Sequence, residues 1–207
     1  MAEIPIRCQP QQSRSQQRMD LILDTAADLF AQVGYESATT NAIAAQAGIS
    51  IGSLYRYFPD KEAILRALAN RYQERSRALY DQVFTADLVY LPLPVLLDRL
   101  IDPFIDLYLT CPAYGHILLG ADVSAEIAAA AAAVEQEGLG RITTVLQQVA
   151  PHLNGARARL VATVCKAVVK VLIGLVTNSR DEEFQRQVTI EVKRMLSAYL
   201  EPVMRGQ

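Results

Sequence analysis

The sequence predicts an all-α protein. Apolar residues recur at three- and four-residue spacing through almost every long segment, and no segment sustains a two-residue alternation. There is also no internal repeat. Taken in order, residues 1–14 are polar and Gln-rich and are expected to form a frayed leader. Ile22, Leu23, Ala26, Leu29, Phe30 and Val33 then make one face of a helix, with Asp20, Asp24 and Asp28 opposite. Gly34 stops it, as a glycine just past the last apolar residue commonly does.

A second long pattern starts near Asp60 or Lys61 and runs to about Phe84 through Ile64, Leu65, Leu68, Tyr72 and Leu79. Pro92 and Pro94 break the chain. The helix after them carries Leu97, Leu100, Ile101, Phe104, Tyr108 and Cys111 on one side, and Pro103 inside it predicts a kink or a start. An alanine-rich helix follows from about Val123 to Val149, weakened by Gly138 and Gly140. Two helices, roughly 156–178 and 182–200, close the chain.

Of the 207 residues, 51% are hydrophobic and 20% charged, enough apolar content for a core and too little net charge for disorder. Lys and Arg number 20 against 22 Asp and Glu, a formal charge of −2, so bulk charge gives no hint of nucleic acid. No apolar run marks the first residues as a signal peptide. The stretch Val161 to Val176, interrupted by Lys166 and Lys170, is expected to fall short of the ~18–20 residues a membrane span needs. Cys8, Cys111 and Cys165 are odd in number and widely spaced, which excludes a disulfide framework or zinc knot. A soluble, cytoplasmic protein without membrane association, metal or cofactor is expected.

The segment TNAIAAQAGISIGSLYRYFP, residues 40–59, fits a helix-turn-helix on physical grounds. Ala44 lets two helices cross closely, and Gly48 supplies the positive φ of a tight turn. Ser50 can cap the second helix. Ile43, Ala44, Ala47, Ile49, Leu54 and Phe58 make the small core. An αα-hairpin in a bundle would share that pattern. Such a hairpin has no need, however, for Ile51, Ser53, Tyr55, Arg56 and Tyr57 on the outer face of a helix two turns long. Lys61 would fall in the first turn of the next helix, where free N–H groups can meet a phosphate.

From about Arg14 to Leu68 the chain resembles the DNA-binding domain of the TetR family of bacterial regulators. The residues that carry the likeness are LFAQVGYESATT, then AIAAQAG, then ISIGSLYRYFPDKEAIL. The resemblance implies a three-helix DNA-binding domain over 15–60 and a helical ligand-binding and dimerisation domain over 61–207. It implies that Thr39 and Thr40 cap the second helix and reach phosphates, and that Asn41 reads a base. Ser50, Gly52 and Ser53 open the recognition helix, with Gly52 letting the backbone approach the groove. Tyr55, Tyr57 and Lys61 match phosphate-contacting positions. Ile51 stands where relatives often carry a polar or basic base-reader. It can only pack on a thymine methyl, so more shape readout is expected, with Arg56 as a further contact. Residues 1–77 hold nine Lys and Arg against eight Asp and Glu, which predicts a shallow salt dependence.

The resemblance further implies a homodimer through the last two helices, a duplex operator of two-fold symmetry and a small-molecule effector enclosed by the middle helices. Phe104, Tyr108, Cys111, Tyr114 and His116 are the pocket candidates, for a ligand that is mostly apolar. The expected activity is that of a repressor released by its effector. Two alternatives remain at this level. One is a helical interaction protein that keeps the motif as scaffold. The other is an enzyme using Cys111, His116 and Asp122, for which sequence proximity alone gives no nucleophile–base geometry.

Overall fold

The computed structural model describes residues 10–110 and 125–206. Every regular element among them is helical: α1 Pro10–Val33, α2 Thr40–Gln46, α3 Ile51–Tyr55, α4 Lys61–Val83, a 3-10 turn Ala86–Tyr90, α5 Leu93–Thr110, α6 Ala125–Val149, α7 Gly155–Thr177 and α8 Glu182–Arg205. The chain divides into two compact units, 1–70 and 71–207, with the division inside α4.

In the first unit α1 packs on α2 and α2 on α3, with Ile22, Leu23, Ala26 and Phe30 of α1, Ile43 of α2, Leu54 of α3, Phe58 just after it and Ile64 of α4 all buried. The helix begins at Pro10, inside the segment expected to fray, with proline in a first-turn position where its missing N–H costs nothing. It ends at Val33, where Gly34 takes φ 79° and its N–H reaches the Phe30 carbonyl at 3.0 Å.

The second unit is a bundle built on α5, α7 and α8, with α6 packed on α7. Its core runs through Leu97, Ile101, Leu139, Val161, Leu172 and Leu196. Pro103 starts no helix: α5 passes through it from Leu93 to Thr110. An interior proline costs roughly 3 kcal/mol. Burying Leu96, Leu97, Ile101 and Ile105 on one face returns more, at about 1.5–3 kcal/mol for each side chain. Lys193 of α8 ties to α5 through Asp98 at 2.7 Å and Asp102 at 2.5 Å. Burial works against the Lys193 charge, but the two carboxylates win and hold its pKa above the ordinary lysine value. The linked stability is therefore present below the unfolded lysine pKa and is lost as pH rises through the raised one. Both aspartates are exposed, so the contribution is at most about 1 kcal/mol.

One sequence expectation is corrected by α7. Counted from Gly155 rather than Val161, it has 23 residues and a mean hydropathy of 2.1 over its most apolar window, so it is long and apolar enough to cross a membrane. The lysines that interrupt the run do not lower the average far enough. Here the helix packs on α5, α6 and α8 and buries Ala158, Val161, Ala162, Leu172, Ile173 and Val176. Its other side is bare: Leu160, Val164, Val171 and Leu175 are 53%, 38%, 65% and 43% exposed.

Gly138 of α6 is set by a close approach. A Cβ built there lies 2.4 Å from the Tyr80 hydroxyl and 2.6 Å from its ring, whereas at Gly140 it meets nothing. Tyr80 is buried and held between the Phe84 and Phe104 rings, so it cannot swing clear. Gly138→Ala is expected to destabilise the protein by about 1–3 kcal/mol. Gly140→Ala is expected to be neutral or to stabilise by up to about 1 kcal/mol. Urea-unfolding midpoints of the two variants check the contrast.

Candidate nucleic-acid interface and ligand cavity

Helix α2 is capped by Thr39, whose hydroxyl accepts the Ala42 N–H at 3.1 Å. It ends at Ala47. Gly48 then turns at φ 65°, and Ile49 N–H returns to the Ala44 carbonyl at 3.0 Å. Ser50 caps α3 by accepting the Ser53 N–H at 3.1 Å, and the two serine hydroxyls meet at 2.8 Å. The second helix is five residues, shorter than the two turns expected. The cause is Pro59, which pushes Phe58 before it out of the helical region. Ile43, Ala44, Leu54 and Phe58 are buried as expected, while Ala47 and Ile49 are only half-buried.

With Leu54 and Phe58 turned inward, the remaining residues of α3 and its following turn stay at the surface. Tyr55 is 50% exposed, and its hydroxyl sits 3.2 Å from that of Thr40, joining the two helices across their outer side. Asn41, Ser50, Gly52 and Arg56 are exposed; Thr40, Ile51, Ser53 and Tyr57 are partly covered. The Arg56 guanidinium lies over the Tyr57 ring, 5.3 Å from its centre, and reaches the Tyr57 hydroxyl at 3.4 Å. Ser15 and Arg56 hydrogen bonds pull the Tyr57 pKa below the ordinary phenol value.

Lys61 has a role the sequence did not reveal. Its ammonium donates to the carbonyls of Tyr35 at 2.7 Å and Glu36 at 3.2 Å, and stands 4.2 Å from the Tyr35 ring centre. The lysine thus locks the loop between α1 and α2. An ammonium carries three donors, so one remains for an anion. Burial, then the carboxylates of Glu62, Glu36 and Asp60, push the Tyr35 pKa up.

The second unit holds a cavity of about 170 Å³ between α4, α5, α6 and α7. Phe104 and Tyr108 line it; the other pocket candidates, Cys111, Tyr114 and His116, lie outside the described residues. Aliphatic side chains make most of its wall, with Gln73, Glu135, Lys166 and Lys170 as polar exceptions. Cys165 also faces it. Burial pushes that thiol up to about 11, so it is protonated at neutral pH and a poor nucleophile. His152 is occupied structurally, with Nε2 at 2.9 Å from the Val203 carbonyl. Among the described residues no group of His, Cys, Asp or Glu is placed to hold a metal.

Residues 22–68 match the model of bacterial regulatory proteins of the tetR family, and residues 92–200 match the tetracyclin repressor-like C-terminal domain. The second match alone covers more than half of the chain. The chain belongs to the TetR family. Among curated relatives, the uncharacterized HTH-type transcriptional regulator YuxN of Bacillus subtilis is 46% identical over 65 residues, covering 31% of this chain and 20% of that protein. The HTH-type regulator UidR of Escherichia coli K12 is 36% identical over 69 residues, 33% of this chain and 35% of the other. The repressor KstR of Mycolicibacterium smegmatis is 36% identical over 70 residues, 34% of each. The matched stretch thus spans only a fifth to about a third of these relatives. Among solved structures, the MbdR regulator from Azoarcus sp. CIB superposes with a TM-score of 0.72 at 22% identity, over 86% of this chain and 96% of that one. The regulator FadR from Bacillus subtilis, in complex with stearoyl-CoA, gives 0.65 at 18%, with the same coverage. At such identities the likeness is one of fold.

For a TetR-family chain, sequence reasoning missed Tyr35 and Ser15 in the first unit and Gln73, Tyr80, Lys166 and Lys170 in the second. The last pair did carry a signal. Two lysines four apart on an otherwise apolar helix lie on one side, and that side must face something polar. The family fold also sets a stability contrast at two glycines that both have open space for a Cβ. Gly48→Ala is expected to cost about 1–2 kcal/mol because its φ is positive. Gly52→Ala, inside α3, is expected to be neutral or stabilising by up to about 1 kcal/mol. Thermal denaturation of the two variants measures both.

Proposed function

We propose that this TetR-family protein is a sequence-specific DNA-binding transcriptional regulator, a cytoplasmic repressor released from its operator by a small, mostly apolar effector. The observation that carries the reading is the division of labour in α3. Leu54 and the following Phe58 hold the core, while Ser53, Tyr55, Arg56 and Tyr57 are left at the surface beside Thr40 and Asn41. In this reading Thr39, Thr40, Tyr55, Tyr57 and Lys61 meet phosphates, Asn41 bonds an adenine, and Ile51 packs on a thymine methyl. Ser50, Gly52 and Ser53 bring the start of α3 against the groove, and Arg56 adds a contact once it leaves the Tyr57 ring.

A five-residue recognition helix binds weakly alone, and two-fold pairing lets two half-sites add. The bare sides of α7 and α8 supply the surface for such a homodimer. Besides the α7 residues already named, Phe184 and Met195, which share one side of α8, are 43% and 51% exposed. The cavity would hold the effector, and the FadR neighbour's structure contains stearoyl-CoA, whose acyl chain is apolar although its coenzyme A part is not. The effector weakens DNA binding only as far as it prefers the conformer that binds DNA poorly. The enzyme alternative loses its footing in a family of regulatory proteins, and its residues Cys111, His116 and Asp122 lie outside the described residues.

Fluorescence anisotropy with the duplex flanking the protein's own gene, in excess unrelated DNA, tests the reading. Binding is expected to survive competitor. Tyr55→Ala and Gly52→Ala are each expected to weaken it at least about tenfold with the unfolding midpoint nearly unchanged. Equal affinity in all three proteins would leave a scaffold that does not read DNA. Val171→Asp is expected to give a monomer in sedimentation and to lose operator affinity. A fully dimeric Val171→Asp protein would move the interface elsewhere.

A further inference from the structure

The cavity wall is polarised, and its register follows from three contacts between α4 and α6. Arg77 pairs with Glu137 at 3.5 Å, Tyr80 touches Gly138, and Asp81 pairs with Arg141 at 2.6 Å. These pairs ascend together, so α4 and α6 run side by side in the same direction. Gln73, two turns before Tyr80, therefore lies level with Ala131 to Glu135. Lys166 donates to the Glu135 carbonyl, and Lys170 pairs with the Glu135 carboxylate at 3.3 Å. Gln73, Glu135 and both lysines thus gather at one end. Phe84, Leu96, Val145 and Leu146 make the other, about 16 Å further along α4 at 1.5 Å per residue.

Two independent features at the polar end ask for a ligand. Gln73 is 6% exposed, and its carboxamide nitrogen is enclosed with no hydrogen-bond partner among the described residues. A buried donor without an acceptor is costly. The second feature is charge. Two ammonium groups face one carboxylate, with Lys170 and Glu135 each 51% exposed and Lys166 partly covered, which leaves an excess positive charge at the solvent-reaching end of the cavity. Burial pulls Lys166 below the ordinary lysine pKa against the opposing pull of Glu135, so an anion there restores what desolvation removes.

We propose that the effector is an amphiphile with a carboxylate head, seated between Gln73 and the Lys166–Lys170 pair with its apolar body directed toward Phe84. The proposal rests on the reading of this cavity as the effector site. The carboxylate accepts from the Gln73 amide and from a lysine. The aliphatic end takes an unbranched or aryl chain without any polar group beyond the head.

Isothermal titration calorimetry of the full-length protein with decanoate and with decanol tests this. Decanoate is expected to bind about tenfold or more tightly than decanol, as a charge-assisted head contact requires. Gln73→Leu and Lys170→Met are each expected to remove most of that preference and to leave decanol binding intact, which also shows that the variants are folded. Decanol binding as tightly as decanoate would overturn the head-group assignment while keeping the cavity as an apolar effector site. A decanoate preference unchanged in Gln73→Leu would overturn the role of Gln73 and leave its amide to a bound water. Failure of both probes to bind the wild-type protein would overturn the proposal together with the effector reading beneath it.

Discussion

A helix of five residues cannot stabilise itself, because forming its first turn fixes three residues for a single hydrogen bond. The position of α3 must therefore come from its neighbours, and the first unit is arranged around that need. Leu54 and Phe58 anchor one side in a core shared with α1, α2 and α4. Ser50 holds the start, and the turn before it is fixed by Gly48. Tyr55 reaches back to Thr40. At the other end of the motif Lys61 ties the start of α4 to the loop that precedes α2. With both flanking segments tied down, the outward residues are presented by a rigid frame rather than by the helix that bears them.

That frame explains which parts of the molecule could be read from sequence. The helical period, the caps at Thr39 and Ser50 and the glycine turn are local, so each is visible within a window of a few residues. Leu54 was legible as core from its spacing six residues after the Gly48 turn, with Phe58 one helical turn further on. The Lys61 latch was not, since it joins residues 25 and 26 apart in sequence through backbone carbonyls that carry no residue identity. Helix ends were legible to within a few residues except where a tertiary balance decided them, as at Pro103, where buried leucines outweigh a missing hydrogen bond.

The cavity was the least legible part for a related reason. Phe104 and Tyr108 could be proposed because one helix face displays them together. Gln73 lies on a different helix, looks like any surface glutamine in a run of polar residues, and acquires meaning only when α4 turns it inward. Gly138 was read as a weakness in α6. It is instead the position that admits the Tyr80 ring, so its helix-propensity cost is exchanged for a packed aromatic. A propensity scale cannot register that exchange, because the partner is 58 residues away in the chain.

Helix α7 brings the two halves of the regulatory argument together. Lys166, Lys170, Val169 and Ile173 face the cavity, while Leu160, Val164, Val171 and Leu175 lie on the bare side. At 100° per residue the lysine pair is centred roughly 130° round the helix from that stripe, with the buried core residues in the wider sector between. If α7 is wall to an effector on one side and surface to a second copy on another, as proposed, a rigid helix cannot rotate for one without rotating for the other. Close-packed interiors are bistable rather than continuously deformable. Head-group capture by the lysines would therefore select between discrete settings of α7, and the bare stripe would register the choice. Such coupling needs no chain of intermediaries and is limited only by the ligand's preference for one setting over the other.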